Sequence, residues 1–377
     1  MNIEKLLRKT KEPEPALFEI EPDWREHWWG MPSFNMGDAR PQHKITINFE
    51  TAADVAEFAK LTGVPVTVKS DSAWFPYKQP LNGEYYYDGP KSNSRYPVCI
   101  PSKGRADCQK TGKALDRMGV SYKFFVEEKE GDEYIKHLGE SKVVVMPFSD
   151  LGQGSIPARN YIWEWAKERG FKRHWTIDDN IATFTRMNVN RRLGVKGGGF
   201  FRAMEDFVDR FENVAMAGPH DQAFVLDRGS PSYRKPYLLN SRVYSCILLN
   251  TALDYRWRGR YNEDTDLSLR LLKAGFCTVL FYSLLINKPA TVGVKNAKPM
   301  KGGNTDNVYN TGDHRLAFAE SLKAQHPDCV EVVWKFNRWH HQVDYSKFKK
   351  NKLIPKAGIV PTACANEYGM ELVRKAQ

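Results

Sequence analysis

The stretch KVVVMPFSDLGQGSIPARNYIWEWAKERGFKRHWTIDDN, residues 142–180, decides the fold. Lys142–Phe148 reads as a strand, Ile156–Glu168 as a helix and His174–Ile177 as a second strand. Short apolar runs bounded by turn residues mark buried strands, and a helix between two such runs is the usual parallel crossover. The same texture extends both ways. Upstream, Tyr96–Pro101 (YPVCIP) and Tyr122–Glu127 are strands on either side of a helix over Asp107–Met118. Downstream come the helix Phe201–Phe211 and strands near Val214–Ala217 and over Tyr237–Leu249. The helix Thr265–Ala274 and the strand Thr278–Tyr282 complete the pattern. Alternation of this kind predicts an α/β domain over residues 95–325, with a mostly parallel sheet flanked by helices.

Residues 1–90 predict a small α+β module. Ile45 and Ile47 alternate with polar residues, Ala53–Leu61 carries apolar residues at helical spacing, Gly63 stops that helix, and Val64, Val66 and Val68 alternate again. LNGEYYYDGPKSNSR, residues 81–95, is turn-rich and reads as a linker. Residues 326–377 form a basic, aromatic extension.

Composition narrows the class. A hydrophobic fraction of 41% and a charged fraction of 27% are those of a globular protein. No apolar run is long enough to span a bilayer, so no membrane partner is expected. The start MNIEKLLRKTKEPEP lacks the apolar core of a secretory signal, which points to the cytoplasm. Six scattered cysteines without a CxxC pair read as free thiols rather than a zinc site or disulfide frame. The net charge of +11 suits a polyanionic partner, either nucleic acid or an anionic cosubstrate. Neither the oligomeric state nor the role of the first region is legible.

Open α/β sheets bind ligands at the carboxyl ends of their strands, so the residues after each strand carry the chemistry. TIDDN, residues 176–180, ends a strand in adjacent carboxylates, which are oxygen ligands for a hard divalent cation or caps for a turn. In RYNEDTDLSLRLLKAGF, residues 260–276, Glu263, Asp264 and Asp266 crowd the first turn of an amphipathic helix. Acids there complement the helix dipole, but three in four residues repel one another, and one is a candidate general base. GQGSIPARN, residues 152–160, leads small residues into a helix start carrying Arg159, where free N–H groups suit a phosphate.

These motifs, in this order, resemble the nucleotide-sugar glycosyltransferases of the GT-A fold, a Rossmann-like architecture. Ala158–Asn160 is similar to that group's A-R-N helix, Asp178–Asn180 to its D-x-D motif, and Glu263–Arg270 to its E-D-x-D-L-x-L-R helix. More narrowly, IPSKGR, GQGSIPARN and WTIDDN resemble the TET/JBP-associated glycosyltransferases, mostly encoded by bacteriophages, which are thought to add sugars to hydroxymethylated pyrimidines in DNA. The resemblance covers Tyr96 to His314. It implies a UDP-sugar cosubstrate contacted by Arg105, by Glu127 or Glu128, and by Arg159, Asn160 and Asp178. It implies Mn²⁺ or Mg²⁺ held by Asp178, Asp179 and His314, although Asn180 stands where the motif's second acid falls. Asp264 is the implied base and Glu263 its companion at the acceptor, with an inverting outcome. The segment KPMKGGNTDNVYNTGDH, residues 298–314, reads as a lid over the diphosphate or a plain surface loop. For a phage-encoded chain, the cytoplasm would be the host's.

The acceptor reading comes from residues 334–352. Trp334, Phe336, Trp339, Tyr345 and Phe348 are interleaved with Lys335, Arg338, Lys347, Lys349, Lys350 and Lys352. Basic groups neutralise phosphates and aromatic faces stack on unpaired bases, so hydroxymethylated DNA is the expected partner. The same pattern also fits aromatics packing an extension whose basic face is solvated. Transfer to a polysaccharide, lipid or protein, and a metal-dependent nuclease or simple DNA binder built from the same acids, remain the alternatives.

Overall fold

The computed structural model describes residues 24–36, 43–77, 84–225, 235–259, 261–288, 314–362 and 364–375. Among them, Ala52–Thr62 (α1) stands apart from the sheet, opened by a reciprocal Thr51–Asp54 capping box and closed by Gly63 at φ 65°. The strands predicted on either side of α1 do not form: residues 43–50 and 63–69 hold no strand. Ile45 is 81% exposed and Val68 70%; Val64 is buried, but neither segment has a strand to pair with. The linker is also more ordered than its turn residues suggest, since Tyr85–Asp88 is a strand (β1).

The central sheet begins with Val98–Pro101 (β2), the helix Lys110–Met118 (α2), Lys123–Glu127 (β3), the helix Gly131–Leu138 (α3) and Val143–Met146 (β4). Ile156–Glu168 (α4) then crosses to Arg173–Ile177 (β5). A hairpin that the sequence did not reveal, Thr183–Asn188 (β6) with Arg191–Gly194 (β7), turns through Val189 and Asn190 at positive φ. Gly199–Asp209 (α5) leads to Val214–Asp221 (β8), Tyr237–Leu239 (β9) and Cys246–Asn250 (β10), and Glu263–Lys273 (α6) leads to Cys277–Asn287 (β11). The single strand expected over Tyr237–Leu249 is thus two, because Asn240 (φ 57°) and Ser245 (φ 63°) leave the extended region.

The strand order is β4-β3-β2-β5-β10-β8-β11-β6-β7, with β9 also on β11. β4, β3, β2 and β5 are parallel, β10 runs against both β5 and β8, and β8 and β11 are parallel again. The sheet is therefore mostly parallel and flanked by helices, as expected for a GT-A-like α/β domain. All five residues of β5 are buried, which is why RHWTI reads as a core strand.

Both ends of the chain add to this core. Trp28 and Met31 are buried with Phe207 and Phe281, and Trp28 stacks on Tyr237 at 5.8 Å. After the helix Arg315–Gln325 (α7) come the hairpin strands Val330–Lys335 (β12) and Arg338–Val343 (β13), and finally Glu371–Arg374 (β14), which pairs with β1. No described helix is long and apolar enough to cross a membrane.

Candidate active site

The chain leaves β4 at one edge and returns to β5 on the far side of β2, so β2 and β5 diverge at a topological switch point. A crevice opens there at the carboxyl ends of the strands. It holds a cavity of about 540 Å³. Its wall is built from Ser102 and Arg105 after β2, Gly152–Ser155 and Arg159 at the start of α4, and Asp178–Asn180 after β5. Arg242, Tyr244, Asn262–Asp264 and Lys288 complete it.

The loop after β5 is held from below. Thr111 of α2 donates its hydroxyl to the Asp178 carbonyl at 2.6 Å and accepts the Ile181 N–H at 2.9 Å. Asp178 then sits between two cations: Lys288 Nζ lies 2.7 Å from Oδ2 and Arg159 Nη2 lies 3.1 Å from Oδ1. Burial pushes the Asp178 carboxyl up, but Lys288 and Arg159 outweigh it and hold the group below its ordinary value. Asp179 is used differently. It is ion-paired with Arg105 and accepts the Ser102 hydroxyl at 2.6 Å, and burial keeps its carboxyl above the ordinary value. Asn180 is 6% exposed, and its Oδ1 has no hydrogen-bond partner among the described residues.

Across the cavity, Asn262 in a left-handed conformation (φ 55°) opens α6 and brings two acids to its first turn. Glu263 accepts the Ser155 hydroxyl at 3.0 Å and lies 3.9 Å from Arg159 Nε. Burial raises its carboxyl, with neighbouring Asp264 adding to the effect against Arg159. Asp264 Oδ1 accepts from Thr265 N at 2.7 Å, whereas Oδ2 has no hydrogen-bond partner among the described residues. The third acid of the motif turns inward. Asp266 is 1% exposed and accepts from His326 Nε2 at 2.9 Å, from Arg258 at 3.0 Å and from Arg270 at 2.8 Å. It anchors the helix that presents Glu263 and Asp264.

Of the residues expected to meet the cosubstrate, Arg105, Glu127, Arg159 and Asp178 line the cavity, and so do Glu263 and Asp264. Glu128 and Asn160 do not. Both faces of the Asn160 amide clasp the Trp257 backbone, at 2.8 and 2.9 Å, and so fix the segment that precedes α6. His314 stacks on Phe318 at 6.0 Å and is not among the cavity residues. The expected lid, residues 298–313, lies outside the described residues. Trp334, Lys335, Arg338 and Trp339 sit together on the β12–β13 hairpin, while Lys347, Lys349 and Lys350 are exposed in and after the turn that follows it. Lys288, Arg242 and Tyr244 were not anticipated. Lys288 was missed because β11 runs on to Asn287, five residues beyond the predicted end at Tyr282, and only that extension brings it to the sheet's ligand edge.

The donor set can be weighed against the expected divalent cation. No three His, Cys, Asp or Glu side chains among the described residues gather into a metal cage. Mg²⁺ seldom uses such a cage; it binds through one or two protein oxygens plus substrate phosphates and water. Asp178 and Asn180 both line the cavity, and Asn180 Oδ1 has no hydrogen-bond partner among the described residues, so a cation there would share Asp178 with Lys288 and Arg159. The Asp179 oxygens are likewise engaged, by Arg105 and Ser102.

The site therefore combines the cations Arg159 and Lys288 with the acids Asp178, Glu263 and Asp264, the last with an oxygen that has no hydrogen-bond partner among the described residues, on a GT-A-like sheet. A comparison with curated proteins returns no match. A comparison with family models finds the TET-associated glycosyltransferases over residues 96–297, more than half of the 377-residue chain and all of the cavity wall. By fold, by motif and by this match, the chain belongs to the TET-associated glycosyltransferase family and is a glycosyltransferase.

Proposed function

We propose that the protein moves a sugar from a UDP-sugar to the hydroxymethyl group of a modified cytosine in DNA, with inversion at the anomeric carbon. The observation that carries this reading is one cavity lined by two chemically distinct sets of groups, cations and a carboxylate. Arg159 and Lys288 meet a dianionic leaving group; Arg159 Nε and Nη1 have no hydrogen-bond partner of their own among the described residues. Asp264, in the same wall, keeps one carboxylate oxygen without a hydrogen-bond partner among the described residues. The acceptor hydroxyl gives its proton to Asp264 as its oxygen bonds to the anomeric carbon. The bond from that carbon to the diphosphate breaks on the opposite face, and UDP departs with the electron pair. Glu263, held by Ser155, orients the acceptor. A divalent cation at Asp178 and Asn180 would supply further neutralisation of the diphosphate.

The DNA acceptor is favoured by the exposed basic and aromatic groups of β12–β13, which adjoin α6. The test incubates the protein with hydroxymethylcytosine-containing duplex, a panel of UDP-sugars and Mn²⁺, then digests the DNA to nucleosides for mass spectrometry. The expected result is a gain of one sugar residue on hydroxymethylcytosine. No gain with any donor, or strand cleavage in its place, overturns the reading.

A further inference from the structure

The hairpin β12–β13 carries a feature that sugar transfer by itself leaves unexplained. Its register runs from Val330↔Val343 to Lys335↔Arg338, so the turn that closes it consists of Phe336 and Asn337 alone. Both have positive φ, 53° and 54°, as the tight turns of two-residue hairpins require. Asparagine adopts that backbone readily, whereas phenylalanine is sterically disfavoured in it. The Phe336 ring is 86% exposed and meets His340 edge-on at 6.2 Å, so packing compensates little. Behind it, Trp334 and Trp339 meet edge to face across the strands at 5.1 Å and remain 55% and 37% exposed.

The charges around this tip are basic. Lys335 and Arg338 are the last pair before the turn and bond to Gln342 and His340 rather than to acids. Of the two acids in the hairpin and the turn after it, Glu331 pairs with Lys323 and Asp344 accepts from Ser346. The base of the hairpin is fixed to the catalytic helix. Val330 and Phe348 are buried with Leu269 and Leu272 of α6, and His341 and Tyr345 feel the charge of Asp264. At about 3.3 Å per residue, the tip stands roughly 16 Å further along the strand than His341.

We propose that Phe336 is a wedge for duplex DNA, entering the base stack where the target cytosine leaves it while that base turns into the cavity. The proposal rests on the DNA-acceptor reading above. A base inside the stack cannot bring its hydroxyl to Asp264, and taking it out costs unstacking energy. An apolar side chain that fills the gap offsets that cost. The substituent at C5 of cytosine lies in the major groove, which is wide enough for a two-stranded β-ribbon. Lys335 and Arg338 then fall beside the flanking phosphates.

The test compares one hydroxymethylcytosine strand, single and in duplex, with the wild type, Phe336→Ala and Phe336→Asn. Asparagine suits the left-handed backbone, so the second variant keeps the turn. The expected result is a duplex-to-single-strand ratio of kcat/KM at least tenfold lower in both variants. A 2-aminopurine beside the target base should brighten when the wild type binds duplex without donor, and stay dim with either variant. An unchanged ratio with an intact fluorescence response overturns the wedge and leaves the DNA acceptor standing. Absence of wild-type transfer to either form of DNA overturns both.

Discussion

Around the cavity, most of the acids have a fixed place: Asp178 between Lys288 and Arg159, Asp179 between Arg105 and Ser102, and, turned away from it, Asp266 among His326, Arg258 and Arg270. On the β12–β13 hairpin, Phe336 and Trp334 stand in solvent with Trp339 partly exposed beside them, and Lys335 and Arg338 have no acidic partner among the described residues. Buried charges must be paired, and the pairing fixes their geometry. That is what a reacting centre needs. Exposed aromatics contribute little to folding, so their placement is free to serve a partner. Changes in the first region should therefore cost turnover and stability, and changes in the second only recognition.

The largest effect should come from Asp264→Asn. Loss of the base should lower kcat by about 10²–10⁴-fold, with UDP affinity by calorimetry within about twofold of wild type. Full turnover in that variant would remove Asp264 from the mechanism. Asp266→Asn should act on folding instead, costing about 3–5 kcal/mol in a denaturant titration because three cationic or hydrogen-bonding partners lose a buried counter-charge. The pH response gives a second reading of the same group. Burial raises the Asp266 carboxyl, but His326, Arg258 and Arg270 together bring it down to about 2 from 3.8. Its stabilisation is thus complete above pH 3.8 and is lost as pH falls through about 2. That amounts to about 2 kcal/mol which the asparagine variant should lack.

A smaller change tests Asn180 as a metal contact. Asn180→Ala should weaken the Mn²⁺ dependence of UDP binding by about tenfold, or about 1.4 kcal/mol, measured by titrating Mn²⁺ at fixed UDP. An identical Mn²⁺ curve would take Asn180 out of the metal site. The smallest effect belongs to the hairpin charges. Lys335→Ala and Arg338→Ala should each reduce the slope of log affinity against log salt for duplex DNA by about one, with melting temperature unchanged. A loss of stability in either would break the contrast between the two regions.

The sequence by itself determined the α/β alternation, the carboxylates at the end of β5 and the acidic first turn of α6. These are local signals: apolar runs with a fixed period, and charges placed directly after them. It did not determine which acids face the ligand. Asp178 and Asp179 are neighbours in sequence and both line the cavity, yet one is held between Lys288 and Arg159 and the other by Arg105 and Ser102. Asp264 and Asp266 lie two residues apart, and α6 places them on different sides because each residue rotates the helix by roughly 100°. Asn160 looked like a ligand contact and proved to be a clasp on Trp257. Lys288 and His326 carry no local signal at all. Each lies far along the chain from the acid it meets, and only the closing of the sheet and the packing of α7 beside α6 bring them together.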